Sequence, residues 1–195
     1  EEDPAIIEKN FHPTISHIRK ALNSRQPFKQ NFIVFRDGAY QLNPELTFLI
    51  DAEEFDRNFA DAELAKREKD NERLRASLES AHAVYRGEFM EGIYEDWAEE
   101  RRNFYSEQFG RVTSALAKLE LAEKRLASAK KYAEETLTVD PYREDIHRVV
   151  MKILSAQGKP AAVKKHFDAM QELLKKDLGI DPSAETRRLA AELLK

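Results

Sequence analysis

The sequence predicts a mainly α protein, a stack of antiparallel helix pairs that follows an N-terminal helix and a β-hairpin. Three observations carry that expectation. From Asp51 to Lys195 apolar residues recur at helical spacing nearly throughout. A short block repeats after 34 residues, Ala129-Lys130-Lys131-Tyr132 and then Val163-Lys164-Lys165-His166. Asp37-Gly38 sits between β-branched and aromatic runs, a strong short-range hairpin signal.

In the opening stretch, Phe11, Ile15, Ile18 and Leu22 are spaced i, i+4, i+7 and i+11, which makes one apolar stripe on a helix. At 100° per residue Ser16, His17 and Lys20 lie opposite that stripe, with His12 and Arg19 on its flanks. Pro13 fits the first turn of such a helix, where a missing N–H removes no bond. The period then breaks at "NSRQPFKQN", and "NFIVFRDGAYQL" reads as the hairpin. The order is amphipathic helix, basic loop, hairpin.

The later elements follow from their punctuation. Asp51, with Glu54 three residues on, predicts an N-cap for a helix in which Phe55, Phe59, Ala62 and Leu64 share a side. "NERLRASLESAHAVYRG" predicts a second helix stopped at Gly87, and "DWAEERRNFYSEQFGRVTSALAKLELAE" a long third one. "RLASAKKYAEETLTV" ends at Asp140-Pro141, "REDIHRVVMKILSAQG" at Gly158, and "PAAVKKHFDAMQELLKKDLG" at Gly179; "PSAETRRLAAELLK" closes the chain. Thirty-four is the tetratricopeptide period, and such helix pairs stack into a superhelix, here expected to be right-handed. Its concave face is the expected partner surface.

Composition bounds the function. The 195 residues carry a net charge of −4, with 42% apolar and 35% charged residues. Lys9 to Arg36 contains six Lys or Arg and no acid, whereas Leu46 onward has 26 basic against 30 acidic residues. An acidic body with a basic N-terminal piece points to a polyanionic partner for that piece. No cysteine is present, so disulfides and thiolate metal sites are excluded, and a reducing compartment such as the cytoplasm fits. There is no apolar run of about eighteen residues, so no membrane span is expected. The chain opens on Glu1 rather than Met, which reads as a boundary with sequence upstream. The five histidines (12, 17, 82, 147, 166) form no His-Glu-x-x-His, and there is no glycine-rich phosphate loop or nucleophile elbow. The expectation is therefore no enzyme, no cofactor and no metal.

Two family resemblances sharpen this. "ISHIRKAL" resembles the recognition helix of the OmpR/PhoB-type winged helix, and "NFIVFRDGAYQLNP" its wing, which ends here as Gly38-Ala39-Tyr40-Gln41-Leu42. The resemblance covers residues 1–44 and only the last part of that domain. "AHAVYRGEFMEGIYEDWAEERRNFY", with Tyr85-Arg86-Gly87-Glu88-Phe89 and then Trp97-Ala98-Glu99, resembles the bacterial transcriptional activator domain. The ending from Leu137 to Leu194 is similar to that family's in order and spacing, so residues 46–195 are assigned to it. The wider group is that of the Streptomyces-type antibiotic regulatory proteins and relatives. The implied fold is a tetratricopeptide-like stack behind the recognition helix and β-hairpin wing of an incomplete winged helix. The implied function is a sequence-specific transcriptional activator that binds double-stranded promoter DNA and contacts RNA polymerase or a second copy of itself. The implied DNA-binding residues are His12, Thr14, Ser16, His17, Arg19, Lys20, Lys29 and Arg36. Ser16 and His17 would read base edges, and Arg36 would meet the backbone from the wing. Specific binding by these 195 residues alone is expected to be weak, because the Phe11–Leu22 stripe lacks the two helices that would cover it. The alternative is a helix-pair interaction module with no DNA binding of its own. Residues 9–36 separate the two, since a platform alone has no need of an acid-free basic helix and wing.

The remaining large residues have plainer expected roles. Trp97, Phe104, Phe109 and Phe167 are expected in the core. Tyr85, Tyr94 and Tyr142 are expected to be structural, and His147 a satisfied, partly buried histidine.

Overall fold

A computed structural model of the chain describes residues 4–24 and 30–195, and side chains in those ranges from residue 11 onward. It divides into two compact units, Glu1–Leu49 and Ile50–Lys195.

The first unit consists of α1 (Pro4–Asn23) and a hairpin of β1 (Ile33–Arg36) and β2 (Ala39–Leu42). The helix is longer than the sequence predicts. Pro13 lies in its interior rather than its first turn, because Ala5-Ile6-Ile7-Glu8-Lys9 contains no breaker and continues the helix backwards. The missing Pro13 N–H removes one bond of the ladder. The hairpin is antiparallel with Phe35 opposite Tyr40 and Arg36 opposite Ala39. Asp37 and Gly38 both have positive φ, at 55° and 81°, the two-residue turn whose twist matches the strands. Buried Asn43 closes the base. Its N–H donates to the Phe32 carbonyl at 2.8 Å and its Nδ2 to the Asn31 carbonyl at 3.0 Å.

The second unit is helical among its described elements: α2 (Asp51–Glu68), α3 (Asn71–Val84), α4 (Asp96–Ala122), α5 (Leu126–Val139), α6 (Glu144–Ala156), α7 (Pro160–Leu178) and α8 (Ala184–Leu193). The short connections make α2/α3, α4/α5 and α6/α7 antiparallel pairs, and α8 packs on α6 and α7.

The turns inside the pairs share one geometry. Lys69, Lys124 and Gly158 are each left-handed, with φ of 59°, 59° and 69°. After each, the next N–H reaches back to close the helix end: Asp70 to the Ala65 carbonyl, Arg125 to Glu120, and Lys159 to Leu154. This six-to-one bond satisfies a carbonyl left open at a helix end. Lys124 and Gly158 are 34 residues apart, as are the ends of α4 and α6 and the starts of α5 and α7. The repeat seen in the sequence is therefore a repeated helical hairpin.

Some local expectations are corrected. Ile50, not Asp51, is the N-cap of α2; Asp51 is the first helical residue and accepts from the Ala52 N–H at 2.8 Å. Side-chain caps occur instead at Asp70 and Ser183. Helix α3 ends at Val84, before Gly87. On α2, Phe55 and Ala62 are buried but Leu64 is exposed, because nine residues at 100° place Leu64 opposite Phe55. Trp97 and Phe104 are exposed, at 54% and 42%, whereas Phe109 and Phe167 pack at the core edge. The inner stripe of α4 is Ala98, Tyr105, Val112 and Leu116, and Trp97 and Phe104 sit one residue, about 100°, away from it.

Packing between α4 and α5 uses small residues. Ala117, Ala129 and Ala133 are fully buried, and the Thr136 hydroxyl lies 2.9 Å from that of Thr113. A Cβ on Gly110 would stand 3.3 Å from Val139 Cγ1. Beside this contact lies an ion cluster. Glu120 is buried and takes Arg75 from α3 and Arg125 from the α4–α5 turn, the latter through bonds of 2.6 and 2.8 Å. The Arg125 hydrogen bonds first, and then those of Arg75, hold its carboxyl at about 2 against burial.

Buried His147 and half-buried His166 form a pair between α6 and α7. His147 Nε2 donates to the Pro141 carbonyl at 2.9 Å, and its Nδ1 lies 2.9 Å from His166 Nε2. A carbonyl only accepts, so His147 carries its proton on Nε2 and its Nδ1 accepts from His166. His147 is neutral in this arrangement, and burial lowers its affinity for a second proton. Burial, and then the neighbouring ring, push His166 down to about 4.

Two outcomes follow from these features. Lys124→Gly should raise stability by about 0.5–1 kcal/mol, because glycine takes a left-handed turn without the Cβ penalty, while Gly158→Ala should lower it by about 1 kcal/mol; urea melts of the two variants check this. Stability should also fall as the pH drops. The depressed His166 contributes stability that is complete above 6.5 and lost towards 4, and Glu120 contributes stability that is complete above 4.5 and lost towards 2. His166→Gln should flatten the change between pH 6.5 and 4 by on the order of 1–2 kcal/mol, read from urea midpoints at both pH values.

Candidate nucleic-acid interface

Helix α1 and the hairpin are joined by a small polar and aromatic cluster. The Arg19 guanidinium donates twice to the Ile33 carbonyl, from Nε at 3.0 Å and Nη2 at 2.8 Å. It also lies 5.6 Å from the centre of the Tyr40 ring. His12 Nδ1 is 3.0 Å from the Tyr40 hydroxyl. Phe11 and Phe35 meet the same ring edge-on and tilted, at 5.5 and 4.9 Å. Tyr40 is thus the hub on which helix and hairpin are set. Tyr40 is the aromatic of the wing ending, two residues after the Asp-Gly turn and opposite Phe35, but its joining of helix to hairpin is visible only in the structure.

This divides the eight candidate residues. Thr14, Ser16, His17 and Lys20 are exposed on α1, and Arg36 is exposed at the hairpin turn. Arg19 and His12 are held against the hairpin, where they set its position relative to the helix. Lys29 lies outside the described residues. Of the apolar stripe, only Ile15 is buried; Phe11, Ile18 and Leu22 are 45%, 39% and 44% exposed.

The loop between α3 and α4 carries the sharpest motif of the helical unit. Tyr85 stacks on Phe109 with ring centres 4.1 Å apart and leans on Phe55. Burial, and then the Glu88 carboxylate, push its hydroxyl up. Phe89 packs on Tyr105, whose hydroxyl donates to Asp56 at 3.0 Å. Arg102 holds the loop by its backbone, donating to the carbonyls of Phe89, Met90 and Ile93 at 3.1, 2.9 and 2.7 Å. The Tyr-Arg-Gly-Glu-Phe segment is therefore a folded loop built on the first helix pair, and its aromatic residues are mainly structural.

The family model of the bacterial transcriptional activator domain matches residues 50–194. The chain belongs to that family. No curated protein matches it. Among solved structures, Mycobacterium tuberculosis EmbR, in complex with a low-affinity phosphopeptide, superposes on 100% of this chain with a TM-score of 0.66 at 20% identity. That likeness concerns the fold. This chain spans about half of the EmbR chain, 51%. The family is one of transcriptional regulators and not of enzymes. Among the described residues no group of three potential metal ligands occurs, and no helix is long and apolar enough to cross a membrane.

In this activator domain Trp97 stands on the first turn of α4 with more than half its surface in solvent. Trp97→Ala should therefore change stability by about 1 kcal/mol or less, far below the several kcal/mol of a core tryptophan. A thermal melt of the variant within a few degrees of the parent is the expected result.

Proposed function

We propose that this chain is the effector platform and the recognition helix and wing of a transcriptional activator that binds double-stranded promoter DNA in the cytoplasm. In this reading α1 enters the major groove. Ser16 and His17 face base edges, Thr14 and Lys20 sit beside them, and Arg36 meets the sugar-phosphate backbone from the hairpin. Arg19 and His12 act indirectly by fixing the hairpin to the helix. The helical unit then contacts RNA polymerase or a second copy of the chain.

The observation that carries the reading is the sorting of α1. Its acid-free outer face leaves Ser16, His17 and Lys20 in solvent, while Arg19 on its flank is taken up by the Ile33 carbonyl. A pure interaction module has no use for a basic helix locked to a hairpin that carries an exposed arginine beside its turn. Titration of the chain with mixed-sequence duplex DNA at several salt concentrations tests it. Lys20→Ala should weaken binding to all sequences and lower the salt slope by about one, as loss of one phosphate contact does. Arg19→Ala should weaken binding with the slope unchanged. No retention of the parent chain on duplex DNA or heparin at low salt would leave the interaction-module reading in its place.

A further inference from the structure

We infer that the Glu88–Glu100 segment and the cavity behind it form a docking surface for a basic amphipathic helix of a protein partner. The inference rests on the reading of the helical unit as an effector platform and names the chemistry of what it receives.

The segment is unusual in both charge and exposure. It holds six carboxylates, Glu88, Glu91, Glu95, Asp96, Glu99 and Glu100, all exposed, and no lysine or arginine. Among the described residues only Glu88 of the six makes an ion pair, to Arg102 at 3.7 Å. Interleaved with these unpaired charges are Met90, Ile93, Tyr94 and Trp97, exposed by 50%, 41%, 87% and 54%. Elsewhere in this unit acids such as Glu120 and Asp145 are matched to cations. Asp96 and Glu99 stand in the first turn of α4, where the helix dipole favours a carboxylate; that does not account for the other acids or for the solvated apolar groups among them, and such a patch commonly marks an interaction site.

The segment's N-terminal part is rigid. Arg102 pins three of its carbonyls, and Met90 adopts φ of 50° to make the turn that Ile93 closes on the Met90 carbonyl at 3.0 Å. Its exposed side chains are thus presented by a built loop, so little ordering entropy is lost on binding.

Behind the loop lies a cavity of about 390 Å³ lined by the rings of Phe55, Tyr85, Phe89 and Tyr105, by the carboxylates of Asp51, Glu88 and Glu91, and by one cation, Arg86, so its charged lining is net negative. Aromatic faces with carboxylates at the rim suit a cationic side chain, through cation–π attraction and charge-assisted hydrogen bonds. The volume takes one lysine or arginine side chain. Ile93, Tyr94 and Trp97 then call for apolar groups that a free amine lacks, and the five unpaired carboxylates call for further cations. A helix with an apolar stripe flanked by lysine or arginine supplies all three. Charge complementarity selects it over an acidic or neutral helix.

The test uses the full chain and a fluorescently labelled Leu/Lys amphipathic helical peptide, with the matching Leu/Glu peptide and spermidine as controls. The Leu/Lys peptide should bind and the Leu/Glu peptide should not. Trp97→Ala should weaken binding by about tenfold or more, as loss of an exposed aromatic anchor does. The combined Glu91→Gln, Glu95→Gln, Asp96→Asn variant should weaken binding and reduce its salt dependence. Leu178→Ala, which removes an exposed apolar residue on α7, should leave binding unchanged. Should Trp97→Ala fail to fold, Tyr94→Ala replaces it. Parental affinity in the tryptophan or tyrosine variant, an equal loss in Leu178→Ala, or complete displacement of the peptide by spermidine at equal charge concentration would overturn the inference. Duplex-DNA binding is measured on the same proteins. Loss of the peptide arm with DNA binding intact removes this surface alone, and loss of the DNA arm with peptide binding intact removes the DNA reading alone.

Discussion

Glu120 is a buried carboxylate between two guanidinium groups, and the relative placement of three helices depends on it. Arg75 reaches it from α3, and Arg125 reaches it from the turn that starts α5. A lone buried carboxylate would be strongly unfavourable in the low-dielectric interior. Once buried, it therefore requires compensation, and its two partners tie α3 and the start of α5 to α4. His82 adds a second link nearby, holding Glu135 of α5 at 2.7 Å while it stacks on Phe109. The small residues between α4 and α5 allow the close approach that these polar links then hold in place.

The other organising constraint is the left-handed turn after each first helix of a pair. A single residue at positive φ reverses the chain, and the six-to-one hydrogen bond closes the helix before the next begins. Two of the three such positions carry lysine and one glycine. The backbone geometry is shared although its most telling residue is not, so the repeat shows in the fold at all three turns and in the sequence only at Gly158.

In the N-terminal unit, side chains of α1 are divided between holding the hairpin and facing solvent. Arg19 and His12 converge on the Ile33 carbonyl and on Tyr40, and Asn43 ties the hairpin base. A basic residue bonded twice to a backbone carbonyl is a positioning element. Lys20, one residue on, is free of that cluster and faces outward. In the helical unit the same division separates Arg102, which pins a loop, from the unpaired acids that the loop displays.

Local information in the chain determined the elements. Spacing of apolar residues set the helices from α2 to α8, Asp37-Gly38 set the hairpin turn, and Gly158 and Gly179 ended helices where they stand. The family, too, was legible in motifs that follow one another in order. Several placements were decided only by tertiary structure. On α4 two adjacent stripes are both apolar, one with Trp97 and Phe104 and one with Ala98 and Tyr105; helical period cannot say which will find a partner, and the one with smaller groups packed. Arg19 lies on the flank of its helix in sequence, and only the approach of the hairpin carbonyl decided that it would hold the hairpin. Glu120 reads as one acid among many on a charged helix, because its partner Arg75 lies 45 residues away. Period and turn chemistry act over a few residues, so the sequence states them directly, whereas burial and charge pairing depend on which distant surfaces meet.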